Sequence, residues 1–192
     1  HWVRRQAQGR GGEGGNVVSF SAACGLATLG RRFHQGKAVA VETKTLKTDH
    51  PNRAGITLIT GVIGADTHIV GNRIVSMALE EAGFKVVALG ALTPADEFIK
   101  AAIETAADGI LVSSLYGQGE LDCRGFRAMC VEAGLKDILL YIGGNLVVGK
   151  QDWADVEARY KDLGFDRAFA NATRTDEIIA MLDEDFAARR KD

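Results

Sequence analysis

Cysteine, histidine, net charge and long apolar runs are all scarce in this sequence. The three cysteines, Cys24, Cys123 and Cys130, form no CxxC pair and no metal-ligand spacing. An odd, scattered set does not read as a disulfide framework, and it predicts a reducing, cytoplasmic setting. A net charge of −2 gives no sign of a nucleic-acid partner. That total conceals an asymmetry: residues 1–50 carry eight Lys/Arg against three Asp/Glu, so the remainder is acidic. No apolar run reaches the roughly 18–20 residues of a membrane span. Residues 17–30 are mildly apolar with arginines upstream, but the stretch is short and broken by Ser, Gly and Thr, which argues against a signal peptide. Of the four histidines, only His68 lies outside the first fifty residues.

What is present suffices for a sizeable core: 46% of the 192 residues are hydrophobic. Residues 1–52 read as a separate, basic, glycine-rich extension, flexible through "GRGGEGG" at 9–15 and closed by the turn signal "TDHPN" at 48–52. From residue 53 to 192 the pattern alternates. Apolar, β-branched runs at 55–64, 84–90, 108–115, 137–144 and 166–171 predict buried strands. Helical periods at 68–83, 93–106, 119–134, 152–164 and 173–190 follow them. Thr93 reads as the cap of the second helix, with Pro94 in its first turn. Five βα units predict an α/β fold, a parallel five-stranded sheet with helices on both faces. In the flavodoxin-like (Rossmann-like) order 2-1-3-4-5, ligands sit beyond the carboxyl ends of the strands, at the switch between the first and third.

The chemistry-bearing residues collect at those strand ends. The first strand runs into "GVIGADTHIVGN" (61–72), with Gly64, Asp66, Thr67, His68, Ile69, Val70 and Gly71. The third ends in Ser113, Ser114, Leu115 and Tyr116, then Gly117 and Gly119; the fourth ends in Gly143, Gly144 and Asn145; the fifth ends in Asn171, Ala172 and Thr173. A rim so rich in Gly and Ser lets backbone approach a bulky ligand. His68 beside Asp66 fits a metal ligand oriented by a carboxylate. Taken alone, the pair is more often a capping aspartate and a surface histidine. Zinc fits poorly, because a structural site needs four ligands and the other histidines lie in the extension. A metal bound by His68 would take it as one axial ligand while a macrocycle holds the rest.

Asp66-x-His68-x-x-Gly71, then Ser113-x-Leu115, then Gly143-Gly144, resembles the three-part signature of base-off/His-on cobalamin-binding domains. "FIKAAIETAADGILVSSLYGQGELDC", "LLYIGGNLVVGKQDW" and "GFDRAFA" narrow the resemblance to the small (sigma, or S) subunits of glutamate mutase, also called methylaspartate mutase. It covers residues 54–186. The extension has no counterpart in it, and the family's Pro-Gly turn after the fifth strand is replaced by Ala170-Asn171-Ala172-Thr173.

The resemblance implies adenosylcobalamin as cofactor, with His68 as the cobalt's lower axial ligand and Asp66 holding the His68 ring. It implies that Ser113 bonds the displaced base, that Leu115 lines its slot, and that Gly143 and Gly144 leave room for the nucleotide tail. The cofactor-binding set is then Gly64, Asp66, Thr67, His68, Ile69, Val70, Gly71, Ser113, Ser114, Leu115, Tyr116, Gly117, Gly119, Gly143, Gly144 and Asn145. No other catalytic residue is expected in this chain.

The implied reaction is a radical rearrangement of L-glutamate to (2S,3S)-3-methylaspartate, an isomerase activity. The substrate would be held mainly by a separate large epsilon (E) subunit, a TIM barrel, in a heterotetramer of two small and two large subunits. The small subunit would be inactive alone, with no nucleic acid or membrane as partner. Gly61, Gly64 and Gly71 suggest that the His68 loop moves and orders on binding.

Alternatives are the small subunit of another cobalamin-dependent mutase, or a non-catalytic corrinoid carrier or sensor. A two-component receiver would need an Asp where Ser113-Ser114 stand, and an FMN carrier a Ser/Thr-rich first loop where only Thr67 is found.

Overall fold

Each apolar run and each helical period becomes an element of a computed structural model that describes residues 53–189. The expected extension over 1–52 lies outside the described residues. The chain order is β1 (Thr57–Val62), α1 (Ile69–Glu81), β2 (Lys85–Ala88), α2 (Ala95–Thr105), β3 (Gly109–Ser114), α3 (Gly119–Asp122), α4 (Phe126–Glu132), β4 (Leu139–Gly144), α5 (Trp153–Asp162), β5 (Arg167–Ala168) and α6 (Thr175–Arg189). The strands form one sheet in the order β2-β1-β3-β4-β5, and every pairing is parallel. This is the flavodoxin-like order expected from the sequence.

Successive side chains of a strand face opposite sides, so each strand feeds two cores. Leu58, Leu111, Leu139 and Tyr141 pack with Leu79 of α1 and Ile178, Leu182 and Phe186 of α6. Ile59, Ile110, Val112 and Leu140 pack with Phe98 of α2, Phe126 of α4 and Tyr160 of α5. Both faces are covered, which is why β1, β3 and β4 read as continuous apolar runs. Phe98 and Phe126 meet edge to face with centroids 5.9 Å apart. Burying such a ring contributes about 1.5–3 kcal/mol. A Cβ at Gly61 would lie 2.7 Å from the Phe98 ring. Gly61 is therefore a packing glycine inside β1 and not part of a hinge.

Three local expectations are corrected. The helix read over 119–134 is two pieces, α3 and α4, because Gly125 takes φ 75° between them and turns Phe126 into the core. Thr93 does not cap α2. Its amide donates to the Val62 carbonyl at 3.0 Å and it bridges to Ile63, so the sheet claims it and Pro94 takes the N-cap position. The last strand is two residues long rather than six, since the chain leaves the edge of the sheet after Phe169 donates its amide to Ile142.

Candidate functional site

The loop after β1 turns at Gly64, which has φ 73°. A Cβ there would overlap the Asp122 carboxylate and the Tyr116 hydroxyl, so glycine is required by conformation and by space. Tyr116 donates to Asp122 and accepts from the Ala65 amide at 3.4 Å. Burial, and the Asp122 carboxylate, push the Tyr116 hydroxyl above its usual range.

Asp66 is 1% exposed, and its carboxylate ties two loops together. Oδ1 accepts from the His68 amide at 2.9 Å and Oδ2 from the Leu115 amide at 2.5 Å. Its carbonyl accepts from Leu92 at 3.0 Å. Burial pushes the acid upward, but the two amides and the His68 ring outweigh that and hold it below the ordinary carboxylate range.

An ionised carboxylate only accepts, so His68 Nδ1, 2.6 Å from Oδ1, carries the ring proton. Nε2 is the ring nitrogen not turned to Asp66, and the His68 side chain is 60% exposed. His68 itself occupies the N-cap position of α1, with no side-chain capping bond to the helix. The capping reading of Asp66 fails on this point: Asp66 orients a ring and leaves the helical amides alone.

Beneath the loop, between the sheet and helices α1 and α6, lies a cavity of about 230 Å³. Gly71 and Asn72, one turn into α1, line it together with Ser113, Leu115, Gly143 and Gly144. Gly71 has open space where a Cβ would stand. Gly144 has φ 116°, and a Cβ there would overlap the Ser114 carbonyl. Tyr141 and Phe169 meet edge to face at 5.3 Å among the apolar lining.

A larger groove of about 530 Å³ runs along the β5 edge. Most of its charges are paired with one another, as in Lys161–Glu157 at 2.7 Å and Arg167–Asp185 at 2.6 Å. None of Gly71, Ser113, Leu115, Gly143 and Gly144 lines it, so the site is placed at the smaller cavity, which all five line. Among the described residues no three His, Cys, Asp or Glu side chains converge to hold a metal ion.

The expected site residues divide into groups. Gly71, Ser113, Leu115, Gly143 and Gly144 line the cavity. Gly64, Asp66 and His68 build the loop above it, with Thr67, Val70, Gly117 and Asn145 exposed on the rim and Ile69 and Tyr116 half-buried there. Ser114 and Gly119 are not brought to the cavity. Ser114 is buried, and a Cβ on Gly119 would lie 2.8 Å from its hydroxyl and from that of Tyr160, on the opposite face of the sheet.

Asn72, Tyr141 and Phe169 were missed as site residues. Period-two alternation places Tyr141 on the side of Gly143, and a polar Asn72 on the apolar face of α1 was the other available signal.

Over residues 56–180 the chain matches the B12 binding domain family. It is 60% identical over 129 residues to the glutamate mutase sigma subunit of Clostridium tetani (strain Massachusetts / E88), covering 67% of this chain and 94% of that protein. The chain belongs to the B12-binding domain family, in the group of the glutamate mutase sigma subunits.

The sigma subunit of Clostridium cochlearium is likewise 60% identical, over the same shares of both chains. Among solved structures, a cobalamin-binding protein from Desulfitobacterium hafniense DCB-2 superposes with a TM-score of 0.57 at 20% identity. That match covers 69% of this chain and 60% of the other, and shares the fold.

The donor chemistry of these residues fits a metal-bearing macrocycle. One imidazole, oriented through Nδ1 by a buried carboxylate, suits a metal already held by other donors. The cavity one helical turn away could accept an aromatic base. Among the described residues no helix is long and apolar enough to cross a membrane.

Proposed function

We propose that this chain is the cobalamin-binding small subunit of glutamate mutase, working in the cytoplasm with a separate large epsilon subunit in a heterotetramer of two small and two large chains. The observation that carries the reading is the Asp66–His68 pair, 2.6 Å apart, with one ring nitrogen tied to a buried carboxylate and the other exposed. When bound, adenosylcobalamin supplies radical chemistry through its cobalt–carbon bond, for the rearrangement of L-glutamate to (2S,3S)-3-methylaspartate.

This chain's residues bind and orient. His68 Nε2 would hold the cobalt, with Asp66 fixing the ring's orientation and tautomer through Nδ1. Ser113 and Leu115, which line the cavity, would hold the cofactor's displaced base there. Gly143 and Gly144 would leave room for the nucleotide tail, and Gly117 and Asn145 are exposed on the rim.

The root of the loop is anchored at Asp66. Thr67, His68 and Val70 are exposed, and they order on cofactor binding together with the first turn of α1. Amide exchange over 67–72 equally slow with and without cobalamin would contradict that ordering. The glutamate-binding groups belong to the large subunit, so the small subunit alone binds cobalamin without turning over substrate.

The test is a titration of the full chain with adenosylcobalamin, followed by corrinoid absorption, in wild type and His68→Ala. The reading expects a base-off spectrum in wild type and a loss of affinity of about 10–100-fold in the variant. Equal binding by both proteins, or none by wild type, would refute it.

A further inference from the structure

A buried polar chain runs from the sheet through α1 into the cavity. The Thr60 and Ser76 hydroxyls are 2.8 Å apart, and Ser76 donates to the Asn72 carbonyl at 2.9 Å. Ser76 has a single proton and spends it there, so Thr60 is the donor of the first pair. The Asn72 side-chain amide, itself 3% exposed, then donates from Nδ2 to Ser113 Oγ at 3.1 Å. Each link has a direction, and all of them run toward Ser113.

The direction matters at the last link. A serine hydroxyl holds one proton and two lone pairs. Asn72 occupies a lone pair of Ser113, and among the described residues no acceptor takes the Ser113 proton. Ser113 lines the cavity. The slot therefore presents a hydroxyl whose remaining strong capacity is to donate.

We propose that Asn72 is a positioning residue that makes Ser113 a donor to the ligand, and that the slot selects corrinoids whose lower base carries a ring-nitrogen acceptor. This rests on the cobalamin reading above. A benzimidazole or purine base that has left cobalt bares the lone pair of its ring nitrogen, and burying that lone pair without a donor is costly. Ser113 supplies the donor. A phenolic lower base has no such nitrogen, so it forgoes the bond and leaves the Ser113 proton unmatched. Discrimination then comes from a buried polar group left unpaired by the wrong ligand.

The full chain is titrated with cobalamin and with a cresolyl cobamide, read by corrinoid absorption, as wild type, Ser113→Ala, Asn72→Ala and the double variant. The cost of taking a base off cobalt belongs to the free cofactor, so it cancels when the ratio of affinities is compared between variants. Each single variant is expected to weaken cobalamin about tenfold and the cresolyl cobamide less than about twofold. The double variant is expected to bind cobalamin no more weakly than Ser113→Ala, because Asn72 acts through that hydroxyl.

Equal losses for both corrinoids would make Asn72 a packing residue and overturn the inference, as would additive losses in the double variant. If Asn72→Ala does not fold, Asn72→Ser, with a side chain too short to reach Ser113, gives the same comparison. Wild type that binds neither corrinoid refutes the cobalamin reading itself. Wild type that binds both, with a ratio unmoved by any variant, refutes only the selectivity.

Discussion

Asp66 and Asp185 are both held below the ordinary carboxylate range, yet they serve different ends. Asp185 accepts from Arg167 Nε at 2.7 Å, from Arg167 Nη2 at 2.6 Å, and from the Tyr141 hydroxyl. It ties α6 to β5 and β4, and every donor it meets is internal. The Arg167 bonds are the main cause of its lowered pKa. Asp66 accepts from two loop amides and from the His68 ring. Its last partner carries a second nitrogen that the protein leaves exposed. A network closed on itself contributes stability, whereas one that ends in an exposed ring nitrogen leaves a position open to a ligand.

The largest effect is expected from Asp66→Ala. It removes the acceptor of the His68 and Leu115 amides, a loss of about 2–4 kcal/mol in stability. It also frees the His68 ring, which should weaken cobalamin about 10–100-fold. Urea unfolding and a cobalamin titration check the two parts. Unchanged cofactor affinity would reduce Asp66 to a staple between loops and erase its contrast with Asp185.

Asp185→Ala is expected to cost about 1–3 kcal/mol in stability, by removing the main acceptor of Arg167 and of the Tyr141 hydroxyl, which keep only Glu184 at 3.1 Å and the Met181 carbonyl at 3.2 Å. Cobalamin affinity should change less than about threefold, since only the Tyr141 ring faces the cavity. A larger loss of affinity would merge the two networks into one.

The same cluster gives a pH dependence with a definite sign. A carboxylate whose pKa is lower folded than unfolded stabilises the fold fully above its unfolded value, near about 3.9. That stability is lost as pH falls through the depressed folded value. In urea unfolding from neutrality downward, Asp185→Asn should show a shallower fall in stability below about pH 4 than wild type. Parallel curves would mean that the carboxylate's charge contributes nothing.

The smallest effect on stability belongs to His68→Ala, within about 0.5 kcal/mol, because an exposed ring is removed. A large loss would place His68 among the structural residues, with Arg167.

The sheet order and the ends of β1, β3 and β4 were legible because continuous apolar runs, glycine stops and short loops all agree there. The Asp66–His68 pair was legible only as two readings. The capping reading fell only when the N-cap position of α1 proved to be His68, with Asp66 turned instead to the His68 ring and to the Leu115 amide, 49 residues away in sequence. Ser114 was placed in the site by adjacency to Ser113, whereas one step along a strand turns a side chain to the other face. Gly61 looked like a hinge because sequence alone does not show the Phe98 ring against it. The Gly125 break inside a helical period was hidden for a similar reason. The apolar spacing continues across it, while tertiary packing of Phe126 decides where the first helix stops.

The measurement that tests the central claim most directly is the cobalt(II) EPR spectrum of the full chain with reduced cobalamin, prepared once with ordinary histidine and once with heavy-nitrogen-labelled histidine. With His68 Nε2 on cobalt, labelling changes the nitrogen hyperfine splitting from a triplet to a doublet, and His68→Ala removes the histidine-dependent pattern. A triplet that persists in the labelled protein would show the cofactor's own base still on cobalt, and would contradict the role assigned to His68 and Asp66.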